Sequence, residues 1–369
     1  MPRVQTKDYA RQYRELWAEL GPVLEQVFLA DEPVLGSALE RFEANLARYH
    51  SVKHAVGVGS GTDAIICAVR ELGLGPGDEV VTCAHTFSGV VSALVQAGVE
   101  PRLADADSSS GLLDVRAVDE ALSPRTRAVL AVHLYGHPVE LASVIDLCEK
   151  RDLLLLEDAA QAHGALYDGR PVGSFGAAAM LSFHPSKNLG AYGDGGAVLT
   201  SSDSLATRLR VVRNLGKSGK YEFSAIGPNS KLDTVQAAIL DVKLRHLDAW
   251  VDRRRALAAR YLEGLAGVGD LILPIERGRA RHAYHLFVVR TKRREELRMH
   301  LAKRDIGTSL HYPIPAVRQP ALAARFRGDR FPVAEELAET VLTLPLSHEH
   351  DELEIDMVIG AVREFFGGG

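Results

Sequence analysis

Residues Ser182 to Gly190, which read Ser-Phe-His-Pro-Ser-Lys-Asn-Leu-Gly, surround one lysine, Lys187, with small and polar side chains. The apolar run Ala178–Phe183 predicts a strand that leads into this loop, and the glycine-rich stretch Gly193–Gly196 follows it. Ligands of α/β proteins bind at the carboxyl ends of strands, which is where Lys187 would lie. A lone lysine is usually a solvated surface residue. A crowded polar loop, however, also suits a lysine that loses its proton and forms a Schiff base.

A second polar segment follows the apolar run Leu153–Leu156 and reads Glu-Asp-Ala-Ala-Gln-Ala-His-Gly over residues 157–164. A carboxylate at the end of a buried strand is costly unless it is paired. The protonated ring nitrogen of pyridoxal phosphate would pair with Asp158 and make the ring an electron sink. Gln161 could reach the phenolic oxygen of the same ring. Asp158 could instead cap a helix, and His163 is at least as consistent with a core position as with a catalytic one.

A third segment, Gly57-Val-Gly-Ser-Gly-Thr-Asp-Ala64, predicts a strand, a tight turn and the start of a helix. Backbone N–H groups at that helix start, together with the Thr62 hydroxyl, would form a site for a phosphate. The turn is similar to the dinucleotide-binding pattern GxGxxG, but Thr62 stands where its third glycine would fall. A Rossmann-type dehydrogenase is therefore the less favoured alternative.

The rest of the chain has the pattern of an α/β protein. Short apolar runs alternate with helical stretches as far as about residue 245, which predicts a mostly parallel sheet with helices on both faces. Residues 8–50 predict helices on either side of a break at Pro33–Gly36. Beyond residue 245, a long charged helix leads into a smaller α+β pattern. We expect a large domain over residues 1–245, including the N-terminal helices, and a small C-terminal domain over residues 246–369.

Composition excludes several classes of protein. The 369 residues are 46% hydrophobic and 25% charged, as in ordinary globular proteins, and the net charge of −5 argues against a nucleic-acid binder. Three cysteines without a CxxC pair predict neither disulfides nor a metal site, and they fit the reducing cytoplasm. The start, Met1–Lys7, lacks the apolar core of a signal peptide. No apolar run approaches the ~18 residues of a membrane span.

Taken together, the three segments resemble the DegT/DnrJ/EryC1/StrS family of pyridoxal-phosphate-dependent nucleotide-sugar aminotransferases, and the resemblance covers nearly the whole chain. Further matching motifs are Ala84-His-Thr-Phe87, His133-Leu-Tyr-Gly-His137, Pro228-Asn-Ser-Lys-Leu-Asp233 and His311-Tyr-Pro313. The resemblance implies the type I aminotransferase fold, with a mostly parallel sheet of the seven-stranded type. It also implies a homodimer whose active sites are shared between the subunits.

The resemblance implies a role for each residue of the site. Two residues would be catalytic: Lys187 would form the Schiff base with the cofactor and move the proton, and Asp158 would pair with the ring nitrogen. Phe87 would stack on the ring, and Gln161 would contact the ring hydroxyl. The phosphate would be held by Gly61, Thr62, the Asp63 backbone, Ser182 and Asn229, the last reaching it from the neighbouring subunit.

The resemblance implies L-glutamate as the amino donor and a nucleotide-linked keto-deoxysugar as the acceptor, in amino-deoxysugar and antibiotic biosynthesis. Gly193-Asp-Gly-Gly196 is more similar to the enzymes that aminate C3 of a dTDP-3-keto-6-deoxyhexose, whereas C4 and cyclitol enzymes more often carry Glu before the glycine pair. One departure is Val317, because relatives often carry histidine in the stretch before Gln319-Pro320. It affects the expected contacts with the substrate rather than the reaction.

Three alternatives to a C3 aminotransferase remain open. A C4 nucleotide-sugar aminotransferase of the same family has the same cofactor motifs. Some relatives are dehydratases, but these replace the lysine with histidine. A non-catalytic regulatory protein with this fold is expected to lose Lys187 or Asp158, and both residues are present.

Overall fold

The computed structural model describes residues 4–367 as an α/β chain. Residues 1–3 and 368–369, the outer ends of the two predicted domains, lie outside the described part, and so does the start of the stretch inspected for a signal peptide. The strands are β1 His54–Val58, β2 Glu79–Cys83, β3 Glu100–Ala104, β4 Thr126–Val132, β5 Leu154–Asp158, β6 Leu166–Tyr167, β7 Arg170–Pro171, β8 Ala178–Ser182, β9 Gly196–Thr200, β10 Ala280–Arg281, β11 Phe287–Arg290 and β12 Val341–Leu344. The α-helices are α1 Tyr9–Leu29, α2 Ser37–Tyr49, α3 Gly61–Glu71, α4 Ser88–Ala97, α5 Val115–Ala121, α6 Leu141–Arg151, α7 Asp203–Val212, α8 Thr234–Leu244, α9 Leu247–Gly264, α10 Arg294–Ala302, α11 Pro332–Thr340 and α12 Glu352–Phe365.

The central sheet has seven strands in the order β1-β9-β8-β5-β4-β2-β3. Strands β8, β5, β4, β2 and β3 pair in parallel, whereas β9 is antiparallel to both of its neighbours, β1 and β8. The predicted α/β class and the mostly parallel seven-stranded sheet are confirmed. Strand β9 was not predicted from the sequence, although its apolar run directly follows the glycine-rich stretch, and neither were β6, β7, β10 and β12.

The parallel pairing places the predicted site residues at one edge of the sheet. Asp158, the last residue of β5, lies opposite Val132 of β4 and Met180 of β8. Since parallel strands end at the same edge, the loops that follow β5 and β8 leave the sheet side by side. The loop that carries Lys187 therefore begins next to Asp158.

Buried apolar residues form more than one core. The largest cluster fills the two faces of the central sheet, and a second joins β11 and β12 to α9, α10 and α12, with Val4 from the N-terminus packed into it. In a third cluster, Val317 and Phe326 pack against Ala84, which follows β2, and against Val91 of α4. The division at residue 245 stays a prediction.

Other expectations concern cysteines and membrane spans. Cys67, Cys83 and Cys148 are free and buried. No helix in the described residues combines the length and the apolar character that a membrane span requires.

Helices α5, α7 and α11 were not predicted from the sequence.

A buried ion pair fixes α2 against β1. Glu43 of α2 accepts hydrogen bonds from the Gly57 amide (2.8 Å) and from the Arg213 guanidinium, and Arg213 also donates to the Gly57 carbonyl (2.8 Å). Both side chains are almost fully buried. Removing one partner would leave the other charge buried without compensation.

We predict that Glu43→Gln lowers the free energy of unfolding by about 3–5 kcal/mol, because it leaves the Arg213 charge unpaired in the core. Chemical denaturation of the cofactor-free protein measures the loss. Asp119→Asn is the matched control, since Asp119 pairs with Arg151 at 2.7 Å on the exposed surface. The control should change stability by no more than about 1 kcal/mol. Equal unfolding midpoints for the two variants would contradict the prediction.

Candidate active site

A cavity of about 450 Å³ opens where the parallel strands end, within the ~300–1,000 Å³ usual for small-molecule sites. Seven of the nine residues predicted to bind the cofactor line it: Gly61, Thr62, Phe87, Asp158, Gln161, Ser182 and Lys187. The fold thus brings together residues that are as far apart in sequence as Gly61 and Lys187. Asp63 and Asn229 do not line the cavity.

Lys187 and Asp158 are oppositely charged groups of this cavity. Burial lowers the pKa of the Lys187 amine to about 8, although the Asp158 carboxylate acts in the opposite direction. Burial likewise raises the pKa of Asp158, which the Ala160 amide and Lys187 oppose. Asp158 is 4% exposed, and its Oδ1 accepts a hydrogen bond from the Ala160 amide at 2.9 Å. A lowered amine pKa increases the neutral fraction, which is the nucleophilic form.

The neighbouring carboxylate, Glu157, has a different role from Asp158. Glu157 accepts hydrogen bonds from the amides of Gly173 (2.7 Å) and Gly176 (2.8 Å), and lies 3.2 Å from the His133 ring. Burial alone would raise the pKa of Glu157, but His133 and these amides hold it below its usual value. Glu157 is therefore a satisfied structural anion, while Asp158 borders the cavity. The helix-cap alternative for Asp158 is wrong, because turns follow it.

The first turn of α3 forms another part of the cavity wall. The Ser60 Oγ caps the helix by accepting a hydrogen bond from the Asp63 amide at 3.0 Å. Gly61 and Thr62 line the cavity, and the amides of a first helical turn have no acceptor within the helix. Ser182, at the end of β8, lies so close that a Cβ on Gly61 would be 2.7 Å from its Cβ. A helix N-terminus flanked by the hydroxyls of Thr62 and Ser182 suits a phosphate.

Two predicted phosphate contacts lie outside the cavity. The Asp63 amide already donates to Ser60, and its carboxylate accepts a hydrogen bond from the Ser230 hydroxyl at 2.8 Å. A phosphate would have to share the Asp63 amide with Ser60. Asn229 is exposed, and its Oδ1 accepts a hydrogen bond from Lys231. Its predicted role concerns a second subunit and stays a prediction.

Gln161 is held in a fixed orientation at the wall of the cavity. Its Oε1 accepts a hydrogen bond from the Tyr135 amide (2.8 Å), and its Nε2 donates to the Tyr312 hydroxyl (2.9 Å). The ring of Phe87 lies 5.5 Å from that of Tyr312 and remains 50% exposed, which leaves an aromatic face free for a ligand.

Several cavity residues were given no role by the sequence analysis. They are Ser60, Thr86, His184, Asp194, His311 and Tyr312. Thr86 is buried, and its Oγ1 has no hydrogen-bond partner within residues 4–367. Motifs containing Thr86, His311 and Tyr312 were recognised, but sequence alone did not show that they meet at one cavity. His163 is fully buried and does not line the cavity, but neither ring nitrogen has a hydrogen-bond partner in the described structure, so the expected core position is found without the hydrogen bonds that would satisfy it.

The residues present fit pyridoxal phosphate. Lys187 offers an amine of lowered pKa, and Asp158 offers a buried carboxylate for the ring nitrogen. The start of α3 offers a phosphate site, and the unpartnered Oγ1 of Thr86 offers a further polar contact.

Comparison with known proteins leads to the same family. A family model described as the DegT/DnrJ/EryC1/StrS aminotransferase family matches residues 18–363. The chain belongs to this family.

Relatives of this aminotransferase extend over the whole chain. It is 45% identical to the dTDP-3-amino-3,4,6-trideoxy-alpha-D-glucose transaminase of Streptomyces venezuelae, over 99% of this chain and 96% of that protein. It is 40% identical to the "Pleiotropic regulatory protein" of Geobacillus stearothermophilus, over 97% of each chain. A crystal structure of S. venezuelae DesV in complex with a ketimine intermediate has a TM-score of 0.96 at 45% identity, covering 99% of this chain and 98% of that one.

The comparisons confirm several predictions for this aminotransferase. The family and the aminotransferase fold are as predicted. The enzyme class, a pyridoxal-phosphate-dependent sugar aminotransferase, is also confirmed, and so is the cofactor.

We predict that Gly61→Ala weakens cofactor binding about tenfold or more while the chain still folds. The added methyl group would press on Ser182, and overpacking of this kind costs about 1–3 kcal/mol. Titration of the cofactor-free protein with pyridoxal phosphate, followed by absorbance, measures the change.

Gly360→Ala in α12 is the control for this prediction, since a Cβ there meets nothing within 4 Å. If Gly61→Ala bound the cofactor as tightly as this control, the close approach of α3 to β8 would not matter for binding.

Proposed function

We propose that this aminotransferase moves the amino group of L-glutamate to the C3 ketone of a dTDP-linked keto-deoxysugar, in amino-deoxysugar biosynthesis. The observation that carries the proposal is that one cavity is lined by Lys187, by Asp158 and by the first turn of α3, where we propose that the phosphate binds. The Streptomyces venezuelae relative is named for a dTDP-3-amino sugar, which supports C3 and dTDP. Of the stretch Gly193–Gly196 that favoured C3 in the sequence, Asp194 and Gly195 lie in the wall of this cavity.

Asp158 would hold the cofactor ring in its reactive state. Pyridoxal phosphate, when bound, supplies an electron sink for the carbanion at the amino carbon. Asp158 would keep a proton on the ring nitrogen, and this cation would in turn offset the cost of burying the carboxylate. Burial raises the pKa of Asp158 although Lys187 and the Ala160 amide act in the opposite direction, and a protonated ring nitrogen beside it would further favour the ionised carboxylate.

Lys187 would move the proton in both halves of the reaction. In the first half-reaction, its neutral amine would take the proton from the amino carbon of the donor. In the second half-reaction, its protonated form would deliver a proton to the carbon of the acceptor that gains the amine. A pKa of about 8 suits this double role, because the amine then gains and loses a proton near neutral pH.

The remaining groups would bind and orient. Ser182 and the first turn of α3 would hold the phosphate, and Gln161 would meet the ring hydroxyl in the orientation set by Tyr135 and Tyr312. Phe87 would cover one face of the ring.

We further propose a cytoplasmic homodimer that builds each site from both chains. Asn229 lies outside the cavity of its own chain, and the loop before it exposes Tyr221, Phe223 and Ile226. An apolar cluster of this kind favours an interface, and a two-fold interface would create two equivalent sites. Asn229 would then reach the phosphate of the other subunit. The free, buried cysteines fit a reducing cytoplasm.

A regulatory role is the second candidate function, because the Geobacillus stearothermophilus relative is named a regulatory protein. The presence of Lys187 and Asp158 in one cavity favours catalysis instead. Lysine rather than histidine at position 187 likewise favours amino transfer over dehydration.

We predict that the enzyme aminates a dTDP-linked 3-keto sugar with L-glutamate and leaves the 4-keto isomer largely unreacted. Incubation with both isomers, with the position of the new amine read by NMR, measures this outcome. Lys187→Ala should give no product with either sugar, and borohydride should attach the cofactor to the peptide containing Lys187 in the wild type. A product with the amine at C4 would show that the enzyme is a C4 aminotransferase. The absence of product from either sugar would favour the regulatory function.

We predict that Lys187→Ala and Asn229→Asp complement each other after subunit exchange. The added carboxylate at position 229 would repel the phosphate of the other subunit, so each homodimer should be poorly active. In a heterodimer, one site would collect both lesions and the other neither. Activity of the mixture is compared with the sum of the parents, after Asn229→Asp alone has been shown to be impaired. Activity no higher than that sum would place Asn229 outside the neighbouring site.

A further inference from the structure

The N-terminal strap, residues Val4–Lys7, is anchored to the region around β11 and β12. The Val4 amide donates to the Asp305 carbonyl (3.1 Å), and the Gly307 amide donates to the Val4 carbonyl (2.8 Å). The Val4 side chain is fully buried in the second core. The next residue after the strap, Asp8, is the N-cap of α1. Lys7 is thus held between a fixed strap and a capped helix.

Lys7 contacts the main chain of the lysine loop. Its Nζ donates hydrogen bonds to the carbonyl of Lys187 (3.0 Å) and to that of Pro185 (3.3 Å). The loop also closes a bond of its own, from the Lys187 amide to the His184 carbonyl (2.9 Å). Lys7 therefore binds the backbone of the residue proposed as catalytic, from a position 180 residues away in the sequence.

The lysine loop borders two cavities at Ser186. Ser186 and His311 border the active-site cavity of about 450 Å³ and also a second cavity of about 480 Å³, which Lys7 lines as well. Fewer side chains pack against the loop where cavities adjoin it, so the two hydrogen bonds from Lys7 matter more for its position than they would in a close-packed core.

The position of Lys7 is electrostatically costly. The cations that face it are Lys187, Lys243 and Arg254, and the carboxylate that faces it is Glu349. Burial and these cations hold the pKa of Lys7 well below its usual value, while Glu349 acts in the opposite direction. An apolar side chain of the same length would avoid this cost but would leave both loop carbonyls without their donor.

We propose that Lys7 is a positioning residue for the amino transfer: by binding the carbonyls of Pro185 and Lys187, it fixes the direction in which the Lys187 side chain enters the active-site cavity. The strap ties this direction to the region around β11 and β12, which also supplies His311 and Tyr312 to the cavity. The inference rests on the proposed catalytic role of Lys187.

Lys7→Met tests the inference, because methionine has a similar length and no donor. In the cofactor-free protein, amide hydrogen exchange over residues 184–190 should become faster. In the loaded protein, the single-turnover reaction with L-glutamate should slow about 10–100-fold, as expected for a misplaced catalytic group, with KM changed by no more than about threefold. Lys7→Arg keeps the donors, and the adjoining cavity can accommodate its longer side chain, so it should recover most of the rate.

Lys243→Met is the matched control. Lys243 is a buried lysine, whereas Lys7 is half-buried, and its Nζ likewise donates to a carbonyl of the lysine loop, that of Gly190 at 2.7 Å, as well as to Gln12 at 2.8 Å. It should lower the melting temperature about as much as Lys7→Met but slow the single turnover far less, because its contact lies three residues beyond Lys187.

The outcomes separate this inference from the proposed function. Unchanged exchange and an unchanged single-turnover rate in Lys7→Met would overturn it, and so would equal slowing in the two methionine variants. If Lys7→Met does not fold, failure of the folded Lys7→Arg variant to retain most of the wild-type rate overturns it. A wild type that does not react with glutamate would refute the proposed donor, whereas the exchange experiment would still test Lys7.

Discussion

The structure depends on one arrangement of charge: the Lys187 amine and the Asp158 carboxylate are both removed from water and border the same cavity. Burial disfavours the charged form of each group, since it lowers the pKa of the amine to about 8 and raises the pKa of the carboxylate. Under the proposed function, the carbonyl group of pyridoxal phosphate would react with the amine and its basic ring nitrogen would pair with the carboxylate. The same burial that shifts both pKa values would then favour binding of the cofactor.

The arrangement exists because of sheet topology. Strands β5 and β8 are parallel neighbours, so Asp158 at the end of one meets the loop that follows the other. Backbone closeness completes the site: a Cβ on Gly196 would lie 2.4 Å from the Ser60 carbonyl, so only glycine lets β9 approach the start of α3 so closely. The adjacent Glu157 shows how local environment separates two consecutive carboxylates, because three loop amides and His133 satisfy it away from the cavity.

Both terminal parts of the chain make contacts at or near the site that local patterns do not reveal. Tyr312 reaches the cavity and orients Gln161, and the strap carries Lys7 to the lysine loop. Val317, the departure from the family pattern, is fully buried in an apolar cluster and does not line the cavity. Within this chain, the Val317 side chain therefore packs in an apolar cluster and does not face the cavity where a substrate contact was expected.

The sequence by itself determined the α/β class, because apolar periodicity is local, and it determined the family and the cofactor through motifs that resemble those of known aminotransferases. The same motifs predicted the pair Lys187 and Asp158 as the catalytic residues. It also determined most helices and strands, since their apolar periodicity is local. Tertiary structure alone decided that β9 runs antiparallel and that the Asp63 amide is already bonded to Ser60. It also decided that Thr86 and Tyr312 line the cavity and that Lys7 reaches the backbone of the lysine loop. These features depend on contacts between residues far apart in the chain, and no local pattern of hydrophobicity or charge encodes which distant backbone a side chain will reach.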